Sequence, residues 1–288
     1  MTNKSQSLLF ALAAVALWST VATAFKIALK YQSPDDLLFF SVFFSTVFFA
    51  IYVLFSNNTK FKLPKIIDLV KSAVAGLINP FLYYFVLFIS YDLLPAQLAQ
   101  PLNYSWVIVI SILSIVVLKQ KIRTVELVSL GIGLLGVAII ASGGKLVYDT
   151  NYSTIGIVLA IGSSLLWGAY WILNLKDNRS AEIKLFWSFL FGSIYILLYR
   201  GFSIPTLSTE MLLSSAYVGL FEMGVTFVLW MKALQLSQNN AQIGMVIYLS
   251  PFLSLVMIHF VLGESIQFTS ILGLLLIIGG VFLRRIIK

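Results

Sequence analysis

A chain of 288 residues that is 60% hydrophobic and only 10% charged is too apolar for a soluble domain, which carries roughly 25% charged residues. The formal net charge of +8 comes from Lys and Arg scattered between apolar runs rather than from a basic stripe, which excludes nucleic acid as the partner. The absence of cysteine excludes disulfides and thiolate metal sites.

A hydrocarbon core about 30 Å thick takes roughly 20 helical residues per crossing. Apolar runs predict ten crossings, near 7–29, 36–56, 67–90, 93–118, 122–143, 154–175, 182–200, 210–234, 239–262 and 266–286. The fold class is all-α and integral to the membrane, because the alternating ten-residue segments of a β-barrel are missing. The first run follows Lys4 and is longer than a signal-peptide core, so it reads as a retained first helix.

In the first span Trp18, Ala22 and Lys26 share one helical face. The third places Asn79 and Tyr83 on one face around Pro80, and the fourth aligns Gln97, Gln100 and Tyr104 next to Asn103, after Pro95 and Pro101. In the sixth, Trp167, Tyr170, Trp171 and Asn174 fall at i, i+3, i+4 and i+7; in the eighth, Glu222, Thr226 and Trp230 form a stripe; the ninth contains Pro251. Each proline implies a kink or break, which either exposes backbone polar groups to a solute or serves packing alone. Gly131, Gly133 and Gly136 in the fifth span, and Gly273, Gly279 and Gly280 in the tenth, suit close helix approach, for sliding halves, a static scaffold or a dimer face.

The order of these features repeats at an offset of about 144 residues. Leu17-Trp18 reappears as Leu166-Trp167, Ala96-Gln97 as Ala241-Gln242, Gln120 near Glu264, and Gly136-Val137 as Gly280-Val281. Five crossings per half is an odd number, so the second half enters the membrane in the opposite sense, giving two inverted repeats, 1–148 and 149–288. With the N-terminus inside, 15 of the 19 Lys and Arg fall on the inner side, which puts both termini in the cytoplasm.

An ionisable group at membrane depth implies function. Lys26, Lys232 and His259 lie near span ends and reach the interface by snorkelling. Glu222 lies about 10–12 residues, or roughly 15–18 Å, into its span, too deep for so short a side chain. It has three candidate roles: a proton-coupling carboxyl, a ligand for an amino or quaternary nitrogen, or a tie between helices. Faces that mix rings and amides suit a solute cavity, where rings stack on or attract a cation and amides orient it. The substrate-binding candidates are Trp18, Asn79, Tyr83, Asn103, Tyr104, Trp167, Trp171, Glu222 and Trp230. There is no phosphate-cradling loop, no HExxH and no GxSxG; one histidine builds no metal site. No catalytic residues, cofactor or metal are therefore expected, and the chain reads as no enzyme.

The ten-helix plan resembles the drug/metabolite transporter superfamily in its EamA-type branch. The resemblance rests on Ala16-Leu17-Trp18-Ser19-Thr20; on Leu102-Asn103-Tyr104-Ser105-Trp106; on Gly219-Leu220-Phe221-Glu222-Met223-Gly224 leading to Trp230-Met231-Lys232-Ala233-Leu234; and on Tyr248-Leu249-Ser250-Pro251 ending at Gly263-Glu264. The Asn103-to-Trp106 run is similar to aromatic amino-acid exporters, except that Val107 stands where a proline is common; Lys119-Gln120 stands where Gly-Glu is frequent. The resemblance implies a bacterial inner-membrane carrier with a central cavity, exporting amino acids or related small metabolites. The expectation is thus a secondary transporter for a small amino-acid-like metabolite, embedded in the lipid bilayer, monomeric or a weak homodimer. The alternatives are a non-transporting ligand sensor, or a carrier for quaternary amines or other drug-like cations.

Overall fold

Segments this apolar find no water for their amides inside a bilayer, so helix is the structure they adopt. The computed structural model describes residues 3–55, 64–118, 124–141, 152–175, 177–206, 208–237 and 246–286. Among the described residues the chain forms helices and no strands. They are α1 (Asn3–Ala28), α2 (Pro34–Phe55), α3 (Ile66–Leu93), α4 (Ala96–Asn103), α5 (Trp106–Leu118), α6 (Thr124–Ala141), α7 (Thr154–Leu175), α8 (Ala181–Tyr199), α9 (Thr209–Leu236), α10 (Ile247–Leu262) and α11 (Phe268–Ile286). Six of them, α1, α2, α3, α7, α8 and α9, are long and apolar enough to cross a membrane; shorter apolar stretches lie in α6, α10 and α11. The boundary near 148, Gln120, the Ala241-Gln242 pair and the 239–245 start of the ninth span lie outside the described residues.

The helices depart from regularity at a few places. In α3, Asn79 is extended (φ −145°, ψ 122°), as expected of a residue preceding proline. The fourth span is divided at Tyr104-Ser105, where the Ser105 amide reaches back only three residues, to Leu102 O. The Ser105 hydroxyl bonds to Ser164 on α7 at 2.9 Å. In α9, a widened π turn runs from Val218 to Val225. The hydroxyl of Ser45 on α2 donates to Gly219 O at 2.8 Å, and the Thr226 hydroxyl donates to Phe221 O. Within α10, Pro251 follows a 3-10 turn over Ile247–Leu249 and stands in the first turn of the α-helical part that begins at Ser250, where no intrahelical N–H is needed.

Helix α1 packs on α9 and α10, α3 on α7 and α8, α2 on α8 and α9, and α5 on α7; α6 and α11 form the most extensive pair. That pair depends on bare backbone. A Cβ on Gly136 would lie 2.5 Å from Gly273 O, and one on Gly273 would lie 2.6 Å from Gly136 O. Gly131 and Gly279, expected in the same contact, have open space around a Cβ instead.

Polar ties close the helix ends. Arg200 at the end of α8 pairs with Asp35 and Asp36 at the start of α2. Beyond the other end of α8, Arg179 pairs with Asp177 at 2.6 Å and donates to Asp68 O and Ser72 on α3. Lys26 does not run free to the interface: its ammonium donates to Tyr91 O at 2.7 Å and Leu94 O at 3.1 Å. Glu264, just after α10, accepts the Ala96 and Gln97 amides of α4 at 3.0 and 3.1 Å. This cross-chain cap satisfies orphan donors of a helix N-terminus with a negative charge.

Three outcomes are expected. Gly273→Val destabilises the protein by about 1–3 kcal/mol through forced separation of α6 and α11, whereas Gly279→Val leaves the thermal midpoint in detergent unchanged. Glu264→Leu lowers that midpoint by the equivalent of about 1 kcal/mol, the value of a lost N-terminal cap. Burial pushes the Asp177 carboxyl up, but hydrogen bonds from the Arg179 side chain and backbone outweigh it and hold the group below its ordinary value. Its contribution is therefore complete above the unfolded-state pKa of about 3.9 and is lost as pH falls through the lower folded value. Thermal midpoints of wild type and Asp177→Asn, separate at neutral pH, should converge as the buffer is acidified through that window.

Candidate functional site

Where α3, the π turn of α9 and the α4–α5 turn converge with α1 and α7, they line a cavity of about 80 Å³. Seven of the nine expected residues line it: Trp18, Tyr83, Asn103, Tyr104, Trp167, Trp171 and Glu222. Glu222 projects from the π turn and is only 8% exposed. The Tyr84 hydroxyl donates to its Oε1 at 3.1 Å, and the Trp18 side chain also reaches the carboxyl group. Oε2 completes no hydrogen bond of standard geometry.

The rings are fixed by one another. Tyr83 lies against Trp167 at 4.7 Å between centroids, and Trp167 meets Trp171 edge-on at 6.2 Å. Phe227 of α9 packs edge-on against both Trp18 and Trp167. Asn103 is held by donating from Nδ2 to Ser163 on α7 at 2.8 Å, which leaves Oδ1 toward the Tyr83 hydroxyl at 3.5 Å. Tyr104 takes its place from the α4–α5 turn, within reach of Ser250 on α10.

Asn79 and Trp230 do not join this cavity. Asn79 is wholly buried and interacts with Tyr170 on α7, although neither of its side-chain polar atoms completes a hydrogen bond of standard geometry. Trp230 stands behind Trp18, 5.6 Å away, and walls a second cavity of about 280 Å³ with Asn174, Lys184 and Gln235; Trp171 borders both spaces. The residues not anticipated as site members are Val21, Phe25, Leu87, Tyr91, Gln100, Trp106 and Ile247. Several were legible: Val21 and Phe25 extend the Trp18 face by three and seven residues, and Leu87 and Tyr91 extend the Tyr83 face by four and eight. Gln97, from the same stripe as Gln100, instead accepts the Gln267 amide at 2.9 Å.

No lysine, arginine or histidine lines the cavity among the described residues, and Glu222 is its only carboxylate. The arrangement suits reversible binding of a small solute through one acidic group, several rings and two amides. It offers no pair of groups for general acid–base work on a bound bond.

The EamA-like transporter family matches the chain twice, at residues 5–142 and 154–285. The chain is 23% identical over 287 residues to an uncharacterized transporter of Archaeoglobus fulgidus, covering 98% of this chain and 97% of that one. It is 24% identical over 277 residues to the uncharacterized transporter YdfC of Bacillus subtilis, covering 93% and 87%. One solved crystal structure shares the fold with a TM-score of 0.68 over 99% of both chains, at 19% identity. Matched in both halves, the chain belongs to the EamA-like transporter family, within the drug/metabolite transporters, and is a multi-pass membrane transporter rather than an enzyme.

Proposed function

We propose that the chain is a secondary carrier for small amine-bearing metabolites, amino acids or their carboxylate-free relatives, exporting them across a bacterial inner membrane by alternating access. The observation that carries this reading is the Glu222 cavity, enclosed by helices from both halves of the sequence. In this reading α4 and α5 together make one crossing and α10 completes another. The ten crossings then form inverted repeats at 1–148 and 149–288, with both termini cytoplasmic.

The helix contacts support that symmetry. If α1 corresponds to α7, α2 to α8 and α3 to α9, then the α1–α9 and α3–α7 contacts are reciprocal. So are α2–α9 and α3–α8, while α2–α8 and α6–α11 are self-paired. Two halves of opposite orientation pack in two ways of similar energy, one opening the shared cavity to each side. Trp18, Tyr83, Asn103, Tyr104, Trp167 and Trp171 hold the solute. Asn79 and Trp230 support them from behind. Glu222 binds the amine and exchanges it for a proton. The protein works as a monomer or a weak homodimer.

Counterflow in proteoliposomes tests the reading. Trapped unlabelled substrate should drive uptake of labelled substrate, and Glu222→Gln should cut exchange by about tenfold or more and abolish its dependence on pH. Binding without counterflow would leave a ligand sensor, and full, pH-dependent exchange by Glu222→Gln would remove the carboxyl from the mechanism.

A further inference from the structure

Within the carrier reading, the chemistry of the cavity discriminates between an amino acid and an amine. An amino acid brings an ammonium group and a carboxylate, and both must be satisfied when water is excluded. The ammonium has partners: Glu222 and Gln100 line the cavity, and their Oε2 and Oε1 are buried and complete no hydrogen bond of standard geometry, with the Trp18 side chain beside the Glu222 carboxyl. Glu222 is 8% and Gln100 6% exposed. A substrate carboxylate would have none of comparable strength. No cationic side chain lines the space among the described residues; the donors there are neutral, among them Trp171 Nε1, which is buried without a partner, and the second N–H of Asn103, whose first is donated to Ser163. Neutral N–H groups without a cation do not offset the desolvation of a carboxylate placed beside a second carboxylate.

We infer that the Glu222 cavity takes a protonated amine that lacks a carboxylate, its N–H groups donated to Glu222 Oε2 and Gln100 Oε1 and its charge held among the rings of Trp18, Tyr83 and Trp167. The rings add cation–π attraction but accept no strong hydrogen bond, so the two oxygens select N–H-bearing ammonium over a quaternary one. The cavity of about 80 Å³ admits the ammonium head and a short stem.

The test compares molecules that differ by one group. Isoamylamine, leucine and the N,N,N-trimethyl derivative of isoamylamine are titrated against the full chain in detergent, by calorimetry and by thermal shift. Isoamylamine should bind about tenfold or more tighter than either of the others. Glu222→Gln should weaken it by about 30-fold or more, and Gln100→Leu by about fivefold. Leucine binding as well as isoamylamine, or a folded Glu222→Gln of unchanged affinity, overturns the inference. If Glu222→Gln does not fold, the wild-type comparison and Gln100→Leu decide alone, and an unselective wild type with an unaffected Gln100→Leu overturns it. The same probes in liposome counterflow separate this inference from the carrier reading. Isoamylamine that binds selectively but is not exchanged supports the substrate class and removes the carrier. Leucine that is exchanged while isoamylamine is not keeps the carrier and overturns the substrate class.

Discussion

Inside a bilayer an unpaired backbone amide or carbonyl costs several kcal/mol, and this constraint organises the rest of the molecule. A spanning helix can lose its regularity only where protein rather than lipid supplies the missing partner. Three such places border or adjoin the cavity: the extended Asn79, the Tyr104-Ser105 turn and the π turn around Glu222. Asn79, Ser105 and Glu222 at these places are buried, and serine or threonine hydroxyls serve the latter two. The Glu222 and Tyr104 breaks open directly onto the cavity, and Asn79 lies four residues before Tyr83, which lines it. The same covering that makes irregular backbone tolerable makes a protein-walled site.

Small polar residues give that site its rigidity. Ser163 and Ser164 lie on one helix, and their hydroxyls orient Asn103 and Ser105 on another stretch of chain. Ser45 and Ser41 tie α2 to α9. In hydrocarbon such bonds hold helices together where apolar surface gives no drive to associate, because lipid tails are equally apolar. Glu222 therefore stands on a braced helix, with Tyr84 holding one of its oxygens and the Trp18 side chain beside the carboxyl.

The apolar runs, the mid-span position of Glu222 and the central tryptophans were legible in the sequence because they depend on local periodicity and depth. The features that were not legible depended on changes of that periodicity. The Glu222, Thr226, Trp230 stripe assumes 3.6 residues per turn, but the π turn over Val218–Val225 widens the helix and rotates the turns beyond it. Thr226 turns back to Phe221 O, and Trp230 faces the second cavity. Asn79 leaves the Tyr83 face for the same reason, since its extended backbone breaks the register at that residue. Gly131 and Gly279 show another limit: a glycine run marks a close contact, but which member touches depends on the rotation of each helix.

The clamp between Glu264 and the first turn of α4 has a consequence for motion. One carboxylate holds two amides, and Gln97 beside it holds the Gln267 amide. Separating these segments would free the carboxylate, the Gln97 side-chain oxygen and three N–H groups together. Water must arrive as they part. At this end of the bundle the two segments are thus joined by contacts that solvent would have to replace together if they parted.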